Sequence, residues 1–167
     1  MIRTLVRRSR VRRRALVVGA ALLATLAPAI TAEAAPPSDS DLAVVRIDPD
    51  AAPPGGNTTV HAIINNVGPE RTASEFTVTV TLPDRVTAEE PFFPEDCDEI
   101  GNGRRVRCTF PAGMPADRSV TATIPVRLAI TVPAPSTLTG RVEVRSPDDK
   151  NKANDEQPFK IQVVEAT

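Results

Sequence analysis

Cys97 and Cys108 are the only cysteines of the chain, and they bracket the stretch Cys97-Asp-Glu-Ile-Gly-Asn-Gly-Arg-Arg-Val-Arg-Cys108. The midpoint of that stretch falls between Asn102 and Gly103, and Asn-Gly is the preferred pair for a two-residue type I′ hairpin turn. Counting outward sets Gly101 against Arg104, Ile100 against Arg105, Glu99 against Val106, Asp98 against Arg107, and Cys97 against Cys108. Directly opposed residues sit about 4.5–5.5 Å apart at Cα, within reach of a disulfide. The expected chemistry is therefore oxidation to a disulfide that closes a hairpin. Once oxidised, the pair leaves no Cys–His nucleophile.

His61 is the only histidine. It falls on the outward face of a predicted strand with Thr59 and Ile63, where a lone histidine is ordinary surface. The sequence contains no Gly-x-Ser-x-Gly elbow, no phosphate-cradling glycine loop and no paired-histidine zinc spacing. The chain is read as a non-enzyme.

Two further stretches carry chemistry. Asp148-Asp-Lys-Asn-Lys-Ala-Asn-Asp-Glu156 offers the hard oxygens that calcium prefers, from Asp148, Asp149, Asn151, Asn154 and Asp155. It lacks EF-hand spacing, two lysines interrupt it, and Asn and Asp also cap their own backbone in ordinary turns. The alternatives are a calcium site or a plain strand connection, and no other cofactor is suggested. Pro91-Phe-Phe-Pro94 is the recognition candidate. Phe92 and Phe93 cannot both point inward from a regular strand, so either one is exposed or a loop tucks both under the domain edge.

The elements that must position these groups are strands. Asp41–Ile47 and Asn57–Asn65 form the first two, and Glu75–Leu82 places Phe76, Val78, Val80 and Leu82 on one face and threonines on the other. Asp84–Asp96 is a looser passage leading into the hairpin. The longest alternation sets Val120, Ala122, Ile124, Val126, Leu128 and Ile130 on one face, with Pro125 outward, which suggests an edge or a bulge. Leu138–Val144 and Phe159–Val163 complete the set. No window has a helical period. The expected fold is all-β: an Ig-like antiparallel β-sandwich of seven to nine strands with one local hairpin disulfide.

Arginines at 3, 7, 8, 10, 12, 13 and 14, an apolar run over 15–27 and Ala32-Glu-Ala34 have the layout of a secretory signal peptide. Residues 1–34 are therefore set aside, 35–40 read as a short polar tether, and 41–165 as the domain. From residue 35 onward there are 13 basic and 20 acidic residues, a net charge near −7. That balance argues against nucleic acid and anionic membrane as partners. A paired cysteine suits an exported chain.

With the strands placed, the pattern resembles the CARDB group of bacterial surface domains and the neighbouring conserved-repeat family. The matching residues are Asp41-Leu42, Pro54-Gly55-Gly56, Asn65-Asn-Val-Gly-Pro69, Val78–Pro83, Cys97 with Val106-Arg-Cys108, and Asp149…Asn151…Asn154. The resemblance implies an exported, non-catalytic module of interaction or spacing. The expected setting is secreted or loosely wall-associated, with an extracellular protein or glycan as partner. The alternative is an inhibitor or accessory domain of a hydrolase that acts through Phe92 and Phe93.

Overall fold

A computed structural model describes residues 37–166. The signal-peptide expectation for residues 1–34 lies outside them. The described chain forms nine strands: β1 (Leu42–Val45), β2 (Asn57–Asn66), β3 (Phe76–Thr81), β4 (Val86–Ala88), β5 (Cys97–Ile100), β6 (Arg105–Phe110), β7 (Ser119–Leu128), β8 (Ser136–Arg145) and β9 (Glu156–Val163). They build a four-stranded sheet, β1-β2-β7-β4, and a five-stranded sheet, β5-β6-β3-β8-β9. Every strand pairing is antiparallel.

The strict alternation read in the sequence is what makes two sheets the solution. Val60, Ala62 and Ile64 of β2 face inward with Ala122, Ile124, Val126 and Leu128 of β7. From the other sheet, Val78, Val80, Val142, Val144, Phe159 and Ile161 meet them. All belong to one continuous buried cluster. Phe76 and Phe110 stack across β3 and β6 with centroids 5.3 Å apart. Gly140 lies opposite Phe159 on β9, and any Cβ there would overlap the Phe159 ring. The missing side chain is the space the aromatic occupies.

The two open sides of the sandwich are closed by backbone hydrogen bonds between sheets. On one side the Ala88 N–H, at the end of β4, donates to the Gly103 carbonyl at the tip of the β5–β6 hairpin. On the other, the Val44 N–H donates to the Asn154 carbonyl, and Ala52 bridges to Val163. Edge strands covered in this way are poor templates for a further strand.

Several elements differ from the sequence expectation. β4 lies inside the passage read as loose, anchored by the fully buried Val86. Ile130, expected on the core face, is 82% exposed. A turn closed by the Val132 N–H on the Ala129 carbonyl breaks the alternation after Leu128, and Val132 takes the buried place. Pro125 lies in an interior strand, not an edge. Its nitrogen falls in the gap between the end of β4 and Phe93, and its carbonyl still accepts the Glu89 N–H. Ser38 and Ser40, expected in the tether, are buried against the domain.

Candidate interaction surface

The cysteine hairpin has the expected register, with Cys97 paired to Cys108, Asp98 to Arg107, Glu99 to Val106 and Ile100 to Arg105. Cys97 and Cys108 are disulfide-bonded. The connection is one of four residues and not two, because Gly101, Asn102 and Gly103 all adopt positive φ, at 73°, 59° and 73°. The Glu99 Oε1 accepts the Gly103 N–H at 2.6 Å, which fixes that turn. Asp98 and Arg107 share the register but form no ion pair; the hairpin's Arg104 pairs with Asp84 instead.

The stretch read as a possible calcium site is a clasp between the sheets. The Asp148 carboxylate is buried and accepts the N–H groups of Ala73 and Ser74, both at 2.8 Å, and the Ser74 hydroxyl at 3.1 Å. Asp149 accepts the Leu42 N–H and the Asn151 N–H, again at 2.8 Å. The side-chain amides of Asn151 and Asn154 donate to Asp41 at 3.1 and 2.8 Å. Most of these oxygens are thus engaged with neighbouring backbone and amides. Among the described residues, no group of three or more His, Cys, Asp or Glu side chains is placed to hold a metal ion. Asn154 Oδ1 and Asp155 Oδ1 are buried without a hydrogen-bond partner. Burial, and then the charge of Asp149, raise the Asp155 carboxyl above its ordinary value of 3.8, against the opposing pull of Lys152 at 3.3 Å.

The Phe92-Phe93 stretch divides in the first of the two ways open to it. Phe92 packs against the core, while Phe93 is 63% exposed. Phe93 is held flat against β7 by a reciprocal pair of bonds: its N–H donates to the Thr123 carbonyl at 3.1 Å and its carbonyl accepts the Thr123 N–H at 2.8 Å. Bridged residues share a face, and successive residues alternate. The Phe93 ring therefore belongs to the outer face of the four-stranded sheet.

That face is nearly free of charge. Its rows across the strands are Val45–Ile63–Thr121, then His61–Thr123–Phe93, then Thr59–Pro125. Charge stands at the margins: Glu89, whose N–H donates to the Pro125 carbonyl, pairs with Arg127, and Asp48 and Asp50 line a hollow beside Thr59 and His61. The opposite outer face carries Arg105, Arg107, Arg141, Arg145 and Lys160 with Asp98, Glu143 and Glu156, around the threonines of β3. The histidine is exposed on its strand, as expected. Sequence reasoning singled out Phe93 but missed its companions. The signal was the run of uncharged outward residues in β2 and β7, against the Arg-Glu-Arg of β8.

Two packed antiparallel sheets with a disulfide-closed hairpin define the class: an immunoglobulin-like β-sandwich. No family model matches the chain, and no curated protein matches it. Solved structures do. The third cohesin of ScaC from Acetivibrio cellulolyticus, solved in complex with the ScaB dockerin, superposes with a TM-score of 0.53 at 17% identity, covering 74% of this chain and 99% of the cohesin. The collagen-binding domain of a Staphylococcus aureus adhesin gives 0.50 at 8% identity, over 77% of this chain and 99% of that one. A CARDB domain from Pyrococcus furiosus gives 0.48 at 15% identity, over 75% and 89%. At such identities the likeness is one of fold. The sandwich half of the resemblance read from the sequence stands on that fold.

Proposed function

We propose that this chain is a non-catalytic extracellular module that binds a protein or glycan at the cell surface through the outer face of the four-stranded sheet. One observation carries the reading: Phe93 is 63% exposed yet clamped in sheet register by Thr123. Exposed aromatics on a rigid, uncharged surface are the usual centres of interfaces, whose cores are poor in charge. The cohesin solved with a dockerin and the collagen-binding adhesin domain support a recognition role for such a sandwich. The export-type leader and the disulfide support an extracellular setting.

The test is crosslinking on intact cells followed by identification of partners, with Phe93→Ala beside the native chain. Loss of a specific crosslink in the variant is the expected result. Crosslinks unchanged by Phe93→Ala would remove the reason for placing the site on this face. The inhibitor alternative needs a loop that protrudes into a cleft. Phe92 in the core and Phe93 flat along β7 favour contact between broad surfaces instead.

A further inference from the structure

We infer that the outer face of the four-stranded sheet takes a basic segment of a protein partner, with an apolar side chain against Phe93 and flanking Lys or Arg side chains against the acids at its margins. The inference rests on the interaction reading above and names the chemistry of the partner. Charge, shape and size lead to it.

Charge at the margins is unbalanced. Glu90 and Glu95 lie within three residues of Phe93 along the chain, both exposed, and among the described residues neither forms an ion pair. At the opposite margin Asp50 is exposed and equally without an ion pair. Two bases at these margins are already committed, Arg46 to Asp48 at 3.3 Å and Arg127 to Glu89. Uncompensated carboxylates thus stand on both sides of the uncharged rows. They repel an acidic partner, draw in a basic one, and contribute nothing towards a neutral sugar.

Shape agrees with a cationic side chain. The hollow beside Thr59 and His61 has a volume of about 340 Å³, with Ile47, Asp48 and Asp50 at its wall. Asp48 already accepts the Lys160 N–H at 2.8 Å as well as Arg46, which leaves Asp50 as the free carboxylate. An apolar wall beside a carboxylate suits the apolar stem and charged head of Lys or Arg. Thr123 lies between Phe93 and His61, so the hollow begins two strand spacings, about 10 Å, from the Phe93 bridge. About three extended residues span that distance, so one segment reaches both.

Size sets the kind of complex. Strand spacing and rise make the face about 20 Å by about 25 Å, on the order of 500 Å². A standard stable interface buries about 800 Å² per partner. The face therefore suits a short segment, held transiently and weakened by salt.

An NMR titration of the isotope-labelled exported chain tests this. The probes are a short synthetic peptide with leucine between arginines, the same peptide with glutamates in their place, and a neutral glucose oligosaccharide. The basic peptide should shift the amides of His61, Thr123 and Phe93 and bind at least tenfold tighter than the acidic one. That gap should close as salt rises from about 0.05 to about 0.5 M. Asp50→Asn, Glu90→Gln and Glu95→Gln together should weaken the basic peptide about fivefold at low salt, at unchanged melting temperature. Phe93→Ala should weaken it at both salt concentrations. Equal binding of the two peptides, binding of the oligosaccharide alone, or a basic peptide that shifts none of those amides overturns the inference. The intact-cell crosslink separates the two readings. A crosslink lost in Phe93→Ala but kept in the triple variant leaves the face as the site and removes the basic partner. If the crosslink responds to neither, both readings fall.

Discussion

Asn66 is fully buried, and all of its side-chain hydrogen-bonding capacity on the described chain is spent on backbone. Its Oδ1 accepts the N–H groups of Asp41 and Gly68, while its Nδ2 donates to the carbonyls of Glu70 and Met114. One amide thus ties together the entrance to β1, the turn after β2 and the loop before β7. Asn66→Ala would leave those groups without partners, at a cost on the order of 3 kcal/mol, readable as a fall in the denaturant midpoint. A variant within 0.5 kcal/mol of the native chain would mean that water replaces the amide freely. The residues behind the family resemblance are mostly of this kind. Asp41, Asn66, Asp149, Asn151 and Asn154 hold turns and the clasp together, so their pattern reports the fold and says little about a ligand.

Asp155 makes a different prediction. Its carboxyl is raised above 3.8 by burial and by Asp149, so the fold favours the neutral form. That contribution is fully present below the unfolded value and is lost as pH rises through the folded one. At pH 7 the ionised group therefore weighs against the native state. Asp155→Asn keeps the shape without the charge, and the ion pair it loses with Lys152 is largely exposed on the lysine side and worth little. The variant should melt above the native chain at pH 7, with the difference shrinking towards pH 3. An equal or lower melting temperature at pH 7 would show that the Lys152 contact outweighs burial.

At the scale of elements, the hairpin of β5 and β6 depends on its staple. β5 is four residues long and lies at the sheet edge, bonded only to β6. Closing so short a loop contributes about 3 kcal/mol in the chain-entropy model. Cys97→Ser with Cys108→Ser should lower the melting temperature accordingly, and peptide mapping of the native chain should recover Cys97 joined to Cys108. Free thiols in the exported protein would contradict both. This hairpin was legible in the sequence because all the information is local: a turn at Asn102-Gly103 and two symmetric cysteines. β7 was legible down to Leu128 for the same reason, since alternation is local too. Its end was not, because the turn that exposes Ile130 depends on the Val132 N–H reaching Ala129. β4 offers a single buried anchor, Val86, and forms only where β7 receives it. The outer face needed the neighbour relation of β1, β2, β7 and Phe93, which unites residues from position 43 to position 125 and leaves no trace in any one window.

At the scale of the molecule, the contacts that close the two sides of the sandwich decide how it unfolds. Ala88 on Gly103 joins the sheets on one side, and Val44 on Asn154 with Ala52 on Val163 joins them on the other. The clasp adds carboxylate bonds from Asp148 to Ala73 and Ser74 and from Asp149 to Leu42. Neither sheet can leave without breaking these bonds and exposing the apolar face of the other, because one buried cluster serves both. Unfolding should therefore be all-or-none. Native-state hydrogen exchange reads this directly, since only the most protected amides report global opening. Val60 and Ile64 in β2 and Val78 and Val80 in β3 belong to different sheets and are all fully buried. Their amides should exchange with the same opening free energy, within about 1 kcal/mol, while the tip of the hairpin at Gly101–Gly103 opens at far lower cost. A gap of more than about 2 kcal/mol between the β2 and β3 amides would show two sheets that open separately, and the side closures would then be surface contacts without cooperative weight.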